Sequence, residues 1–506
     1  MSASASSLPW SKTLTRDFTA SIVVFLVAMP LCMGIAIASG VPPEKGLLTG
    51  IFGGIVAGAL AGSPLQVSGP AAGLAVIVFE IVRDQGLAAL GPILVLAGII
   101  QVAAGVLKLG GWFRAISPAV VHGMLAGIGI LIVVGQFHVL FDAKPLPSGL
   151  ENLAAMPGRL FGLSTDLAGA EISLLVGILT IATMLGWERF RPTALRLVPG
   201  ALVGIVVGTL VAFTLGLDVA RVVVPASIFA GIETPGLGYF VHLIDPAIFG
   251  TAVAIAFIAS AETLLSAAAV DRMHDGVRTN YNKELCAQGA GNMLCGLAGA
   301  IPMTGVIVRS SANVQAGATT RMSAILHGVW ILGFVALMPW LLREIPMAAL
   351  GGILVVTGFR LVSLHHVRHL FHQYGLLPAA IWATTMVLIV AEDLLTGVLV
   401  GLALSLIELV PHLRRIRLKV EHRDASGETE LDLGGSATFV SLPKLSAALD
   451  AVPAGKPLRL NLGALSYLDH TCAEMLSDWL QRRRESGSTV AVKDPASLYP
   501  RLATPS

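Results

Sequence analysis

Long apolar runs separated by short polar loops fill most of the chain and stop after Val410. The runs are continuous rather than alternating, which favours helices over the strands of an outer-membrane barrel. Several are shorter than the ~20 residues that a helix needs to cross a bilayer. The pattern predicts a polytopic α-helical membrane protein with fourteen transmembrane segments. We place them at 18–39, 46–62, 68–83, 91–109, 116–135, 171–187, 197–215, 246–268, 285–300, 302–317, 322–342, 346–363, 376–392 and 394–411.

The pattern changes to a mixed polar one after these segments and predicts a second, soluble domain. Short strands are expected at 429–433, 458–462 and 489–493, with an amphipathic helix at 473–484. We therefore divide the chain into an N-terminal cytoplasmic segment, a transmembrane transport domain, a linker and a small α/β domain with a regulatory or structural role. Their bounds are 1–17, 18–411, 412–423 and 424–506.

Composition agrees with a membrane location. Only 13% of the 506 residues are charged and 55% are hydrophobic, whereas a soluble domain has about 25% charged residues. The net charge of +2, without a basic tract, predicts no nucleic-acid partner. The four cysteines have no paired spacing and are expected to be buried and free, which leaves neither a disulfide nor a zinc site. They are Cys32, Cys286, Cys295 and Cys472.

The distribution of Lys and Arg predicts the orientation. With Lys12 and Arg16 inside, the inside loops hold more basic residues than the outside ones, and an even number of spans returns Arg414 and Arg415 to the same side. The first apolar run is longer than a signal-peptide core and is read as a retained span. We expect a multi-pass protein of the inner (plasma) membrane with both termini cytoplasmic.

Two helix faces consist of glycine at every fourth position and predict close helix packing. The first comprises Gly46, Gly50, Gly54, Gly58 and Gly62, and the second comprises Gly200, Gly204 and Gly208.

Two apolar segments are broken by glycine and proline. Gly69–Pro70 interrupts the third segment, and Pro302 with Gly305 interrupts the tenth, which is the third segment of the second set of seven. Broken segments in corresponding halves indicate a midplane site formed by two half-helices. Helix N-termini carry free N–H groups and suit an anion. The alternative is that these residues only kink ordinary helices.

Two ionisable residues lie inside apolar segments, where a charged side chain is unfavourable unless it faces protein or water. Arg309 follows the second break and can bind an anion, while Glu262 can accept a proton or bind a cation. Alternatively, the two neutralise each other as a structural pair. No phosphate-binding loop of the ATPase type is present, which favours secondary transport, and nothing indicates an enzyme.

Two further polar groups have simpler interpretations. A histidine cluster after the twelfth segment can bind a metal, but a juxtamembrane amphipathic helix is the favoured interpretation, and no metal site is predicted. Glu392 and Asp393 are expected at a span edge, either solvated or capping the next helix. The cluster consists of His365, His366, His369 and His372.

The chain resembles the SulP anion permeases, bacterial relatives of the animal sulfate and chloride/bicarbonate exchangers. The motifs are MPLCMGIAIASGVPPEKGL, QVSGPAAG, AETLLSAAAVDRM with NKELCAQGAGN, and IPMTGVIVRSSANVQAGATTR. The segment LRLNLGALSYLDHTCAEMLSDWL is similar to a STAS domain. The resemblance implies 7+7 inverted repeats, a core domain that moves against a gate domain in an elevator motion, a homodimer, and a cytoplasmic STAS domain able to bind a cytoplasmic partner.

The resemblance also implies site residues. Glu262 and Ser266 match the positions of the coupling-ion site, where a sodium-coupled bicarbonate member has aspartate and threonine. Protons are therefore at least as well suited as Na⁺, and no other cofactor is expected. Asp469-His470-Thr471-Cys472 replaces the usual Asp-Ser-Ser-Gly of the STAS domain. The implied substrate-binding residues are Leu31, Ile35, Gly69, Pro70, Ala71, Ala72, Gly305, Val306, Ile307 and Arg309.

These features predict an elevator-type secondary transporter of a small inorganic anion, with bicarbonate or sulfate first, by H⁺- or Na⁺-coupled symport. A C4-dicarboxylate or nucleobase permease of the same fold is one alternative. A membrane-anchored STAS signalling scaffold is an alternative of another class.

Overall fold

The fold is taken from a computed structural model that describes most of the chain. The described residues are 10–113, 117–162, 167–225, 231–232, 239, 246–271, 273–274, 276–362, 376–409, 418–425, 428–438, 441–452, 457–485 and 489–493. The histidine cluster at 365–372 lies outside them.

Helices make up most of the described residues before residue 410. They are α1 (Trp10–Ala38), α2 (Pro43–Phe52), α3 (Gly58–Leu60), α4 (Ala72–Gln85), α5 (Leu87–Val106), α6 (Gly110–Phe113), α7 (Pro118–Val139), α8 (Gly149–Leu160), α9 (Leu167–Phe190), α10 (Gly200–Thr214), α11 (Pro246–Asp271), α12 (Tyr281–Leu297), α13 (Ile307–Gln315), α14 (Met322–Leu337), α15 (Pro339–Leu342), α16 (Met347–Leu361), α17 (Leu376–Ala391) and α18 (Leu394–Leu409).

Each of the fourteen predicted segments coincides with one or more of these helices. Helix α1 begins at Trp10, so part of the predicted N-terminal segment is helical. A π-helical turn, Gly53–Ala57, divides the second segment between α2 and α3. Within the described residues, five helices are long and apolar enough to cross a membrane, and the number of fourteen crossings stays a prediction. The five are Thr13–Ala38, Leu87–Val106, Pro118–Val139, Gly169–Phe190 and Ile248–Asp271.

The two broken segments meet as a pair of short strands. Strand β1 (Ser68–Pro70) pairs antiparallel with β2 (Met303–Gly305), with Gly69 opposite Thr304. Helix α4 follows β1 and α13 follows β2. Since the strands are antiparallel, the helices leave the pair from opposite ends, and both helix N-termini lie at the pair.

Both predicted glycine faces lie at close helix contacts. A Cβ on Gly46 would lie 2.0 Å from the Cys32 carbonyl oxygen, and one on Gly54 would lie 2.7 Å from the Gly328 Cα. On α10, a Cβ on Gly204 would lie 2.8 Å from the Thr180 carbonyl oxygen of α9. Backbone at these distances cannot accept a side chain, which confirms the packing interpretation.

Helices α5 and α12 show a third glycine contact, with a spacing of seven residues. A Cβ on Gly98 would lie 2.5 Å from the Gly289 carbonyl oxygen, and one on Gly289 would lie 2.6 Å from the Gly98 carbonyl oxygen. Seven residues further along the helix pair, a Cβ on Gly296 would lie 2.6 Å from the Gly91 carbonyl oxygen. The two helices therefore touch backbone to backbone along their length.

The C-terminal region forms an α/β unit around a four-stranded sheet in the order β3-β4-β5-β6. Strand β3 pairs antiparallel with β4, and β4–β5 and β5–β6 are parallel. Buried leucines and Trp479 form its core. The elements are β3 (Lys419–Ala425), β4 (Glu428–Ala437), α19 (Leu442–Asp450), β5 (Leu458–Leu468), α20 (His470–Glu485) and β6 (Val490–Lys493).

This unit corrects one predicted boundary. The linker was expected to extend to residue 423, but residues 419–423 belong to β3 and are paired with β4. Strand β3 lies at the edge of the sheet, where charged side chains are common. Its sequence is therefore highly charged, and the alternating pattern of a strand is hard to recognise in it.

The described cysteines and capping carboxylates agree with the sequence. All four cysteines are free, three of them buried and Cys286 partly buried. Burial raises the pKa of the Cys472 thiol, which makes it an inert core residue. Asp469 caps α20 by accepting the Cys472 N–H, at 2.8 Å. Asp393 caps α18 through the Thr396 N–H, at 2.7 Å, as predicted.

Candidate anion site at the strand pair

The glycines of the two short strands are required by close neighbours. A Cβ on Gly69 would lie 2.2 Å from the Arg309 Nη1 atom. A Cβ on Gly305 would lie 1.5 Å from the Gln66 Nε2 atom. A Cβ at either position would therefore displace a side chain that lies close to the strand backbone, Arg309 at Gly69 and Gln66 at Gly305.

The first turns of α4 and α13 supply free backbone donors. Their N-cap residues, Ala71 and Val306, are extended and have no side chain that can accept a hydrogen bond. The first N–H groups of a helix have no intrahelical partner, and the helix dipole places partial positive charge there. Ala72 is partly exposed and the Ile307 side chain is 42% exposed, so these turns are accessible.

Arg309 lies within the first turn of α13 with its side chain fully buried. Its Nη2 atom donates to the Pro70 carbonyl oxygen at 3.1 Å, which connects α13 to β1. Its Nε and Nη1 atoms have no hydrogen-bond partner. A buried guanidinium with unused donors is unfavourable unless a negative group completes it.

Glu262, on α11, contacts the other half-helix. A Cβ on Gly73 would lie 2.7 Å from both Glu262 carboxylate oxygens, so the carboxylate lies against the first turn of α4. Its Oε2 atom is buried and has no hydrogen-bond partner. A carboxylate is favourable at a helix N-terminus, but it is also in position to repel an anion bound there.

The structural pairing of Arg309 with Glu262 is wrong. Neither side chain takes part in an ion pair among the described residues. The reason is geometric: Arg309 is directed to the Pro70 carbonyl of β1, whereas Glu262 lies against Gly73 of α4. Each charge therefore has its own place at the strand pair.

Thr263, next to Glu262, holds both β2 and the segment before β1. Its hydroxyl accepts the Gly305 N–H at 3.0 Å, and its carbonyl oxygen accepts from Gln66 Nε2 at 2.9 Å. Ser310 supports the same crossing, because its hydroxyl accepts the Val67 N–H at 2.9 Å. These bonds fix the two strands in register where the half-helices begin.

A buried amide network fixes the strands from the α12 side. Asn292 accepts the Met303 N–H at 2.8 Å and donates to Gln101 at 2.8 Å, which holds β2.

The same network also holds β1. Gln288 donates to the Ser68 hydroxyl at 2.6 Å and to Glu284 at 2.9 Å. The N–H groups of Gly62 and Ser63 also donate to Glu284. Polar residues four apart on one helix were a visible signal for this network, which the sequence analysis missed.

The other predicted site residues are close in the fold, although their contacts differ. Leu31 and Ile35 are buried on α1, a helix that contacts β1 and α13. Ser266 is buried one turn after Glu262 on α11. Pro70 and Ala71 join β1 to α4, and Val306 joins β2 to α13. Thus the strand pair brings together Gly69, Pro70, Gly305 and Arg309, with Glu262 at the adjoining turn.

This architecture is that of a multi-pass membrane transporter with a soluble C-terminal domain, and comparisons with known proteins give the family. Residues 14–385 match the model of the sulfate permease family, and residues 421–504 match one described as Mlab, STAS domain. The chain belongs to the sulfate permease family and ends in a STAS domain. It is therefore a transporter rather than an enzyme.

Relatives in this family are sulfate and bicarbonate transporters. The chain is 29% identical to YvdB of Bacillus subtilis, a provisionally assigned sulfate transporter, covering 94% of this chain and 91% of the relative. It is 26% identical to the bicarbonate transporter BicA of Synechocystis, covering 84% of this chain and 75% of the relative.

Solved structures share the fold. The transmembrane domain of a cyanobacterial BicA superposes with a TM-score of 0.67 at 25% identity, covering 78% of this chain and 98% of that one. Murine Solute Carrier 26 family member A9, in an inward-facing state, gives a TM-score of 0.68 at 15% identity, covering 98% of this chain and 88% of that one.

Proposed function

We propose that this protein is a secondary active transporter of a small inorganic oxyanion, sulfate or bicarbonate, bound between the N-termini of α4 and α13. The observation that carries the proposal is Arg309: fully buried, connected to Pro70, and with two donor nitrogens that have no partner. The names of the relatives, sulfate and bicarbonate transporters, support this substrate class.

The site chemistry favours an oxyanion over a neutral ligand. The first turns of the half-helices provide N–H donors. An arginine adds planar, charge-assisted hydrogen bonds that suit the oxygens of sulfate or bicarbonate. The bound anion supplies the negative charge that Arg309 otherwise lacks.

Glu262 is the proposed coupling group. An anion at the first turn of α4 meets the Glu262 carboxylate, so binding is favoured when a proton or Na⁺ neutralises that carboxylate, with Ser266 as a second oxygen ligand for Na⁺. Anion and coupling ion then increase each other's affinity, as symport requires. Movement of the core that carries α4 and α13 against the gate, in an elevator motion, completes the transport cycle.

We further propose a homodimer in the inner (plasma) membrane with both termini cytoplasmic, and a STAS domain that binds a cytoplasmic partner. The excess of Lys and Arg in the loops predicted to face inward supports this orientation. Protease accessibility of tags at each terminus, in right-side-out and inverted vesicles, tests it.

Anion affinity of the purified full-length protein tests the site. Arg309→Ala is expected to weaken sulfate or bicarbonate binding by about 10- to 100-fold, since one charge-assisted contact contributes about 1.5–3 kcal/mol. Arg321→Ala is the control, because Arg321 lies outside the strand pair and donates to the Ala59 carbonyl oxygen at the surface. A folded Arg309→Ala protein with wild-type affinity contradicts the proposed site.

Separate pH and Na⁺ gradients across proteoliposomes test the coupling group. Glu262→Gln imitates a protonated carboxylate and is expected to bind anion but lose gradient-driven accumulation. Loss of a pH response identifies protons as the coupling ion, and loss of a Na⁺ requirement at fixed pH identifies Na⁺. Accumulation with unchanged responses to both gradients shows that Glu262 has a structural role only.

A further inference from the structure

A cavity lies along helix α4, from Ala75 to Arg83. Its volume is about 100 Å³. Side chains of α4 and α7, residues 145–149 and the start of α18 line it, and its oxygen-bearing side chains include Glu80, Gln136, Glu392 and Asp393. Glu80 is seven residues beyond Gly73, which is about 10 Å along a helix. Glu80 therefore lies apart from the contact between Glu262 and α4, although the cavity extends along α4 to Ala75.

Two of the carboxylates that line this cavity are those of Glu80, on α4, and Asp393, just before α18. Asp393 is held in place because its carboxylate accepts hydrogen bonds from the Thr396 N–H and hydroxyl, both at 2.7 Å.

The nearby cation does not neutralise them. Arg83 also lines the cavity, but its Nε and Nη2 atoms donate to Asp84 at 2.6 and 2.8 Å, and its Nη1 atom donates to the Pro147 carbonyl oxygen at 2.6 Å. Among the described residues, no ion pair involves Glu80, Glu392 or Asp393. The cavity therefore has an excess of negative charge.

Gln136 gives an independent indication of a ligand. The residue is 2% exposed, it lines the cavity, and its Oε1 atom has no hydrogen-bond partner. A buried amide oxygen without a partner is unfavourable by about 1–3 kcal/mol. An electropositive ligand in the cavity satisfies this oxygen and the two carboxylates together.

We propose that this cavity is a Na⁺ site whose ligands are Glu80, Asp393 and the Gln136 amide oxygen. Oxygen donors of this kind suit a hard cation. No group of three or more His, Cys, Asp or Glu side chains in the described part of the chain is arranged to hold a metal ion, which disfavours a divalent ion held by carboxylates. The volume holds an ion with bound water, whereas a proton shared between two carboxylates needs no cavity. The ion joins α4 to α18 and stabilises this conformation.

Thermal unfolding of the full-length protein in detergent tests the site, with NaCl exchanged for N-methyl-D-glucamine chloride at constant pH and chloride. Na⁺ is expected to raise the Tm of the wild-type protein by about 2 °C or more, as a ligand specific for the folded state does. Glu80→Gln and Gln136→Leu are expected to remove the increase, and each is expected to weaken binding of ²²Na⁺ about tenfold or more.

Two further variants distinguish this site from other sources of Na⁺ dependence. Glu171→Gln changes an exposed carboxylate on α9 that does not line the cavity, and it is expected to keep the full Tm increase. Glu262→Gln removes any contribution of Na⁺ at the coupling group, and the Tm increase that remains is assigned to the cavity. Loss of the increase in Glu262→Gln but not in Glu80→Gln overturns the proposal. So does a wild-type Tm that depends on pH but not on Na⁺.

Discussion

At the scale of single residues, Gly305 has the least space around it. A Cβ there would displace the Gln66 amide, which donates to Thr263. Gly305→Ala is therefore expected to destabilise the strand pair by about 1–3 kcal/mol and to abolish anion uptake. Gly333→Ala is the matched control: no atom lies within 4 Å of its Cβ, and alanine is the better helix former. Thermal unfolding and anion uptake of both variants test this expectation. Normal uptake by Gly305→Ala would show that the anion binds elsewhere.

Individual residues also show how far the sequence could predict the site. Gly69, Pro70 and Gly305 break apolar runs, and Arg309 and Glu262 are charges within them, so each is visible in the sequence alone. Thr263 and Gln66 are not conspicuous in this way. Their roles depend on hydrogen bonds between residues that are far apart in the chain, such as Gln66 with Thr263, and only the folded structure brings these together.

At the scale of elements, helices α5 and α12 contact each other through glycine backbone on both sides. Gly98→Val would place its side chain against the Gly289 carbonyl oxygen, where backbone cannot move aside. We expect this side chain to push the two helices apart and to lower the free energy of unfolding by about 1–3 kcal/mol. Gly186→Val, on α9 with no atom within 4 Å of its Cβ, is expected to unfold near the wild-type temperature. Equal unfolding temperatures of the two variants contradict this packing.

The elements were predicted unequally well. Glycine at every fourth position indicated the contacts of α2 and α10, whereas the glycines of α5 and α12 that make this contact recur only every seven residues, and the sequence analysis overlooked them. Strands β1 and β2 have only three residues each, too few to show an alternating pattern. Their pairing is a tertiary effect.

At the scale of the whole molecule, the corrected boundary of the STAS domain changes how a truncation is designed. Deleting residues 418–506 removes the whole sheet, and the remaining protein is expected to fold and to bind anion with wild-type affinity. Deleting only 424–506 leaves most of β3 without β4, an unpaired strand that promotes aggregation. Size-exclusion profiles and anion affinity of both proteins test this. A folded protein that lacks 418–506 and binds no anion contradicts the placement of the site.

The central claim is that a small oxyanion crosses the membrane through the site at the strand pair, and uptake of labelled sulfate and bicarbonate into proteoliposomes tests it most directly. Wild-type and Arg321→Ala proteins are expected to accumulate at least one of these anions under an imposed H⁺ or Na⁺ gradient. Arg309→Ala, inserted at the same density, is expected to lose nearly all of this uptake. Absence of uptake by the wild-type protein under every gradient, or equal uptake by Arg309→Ala and Arg321→Ala, contradicts the account.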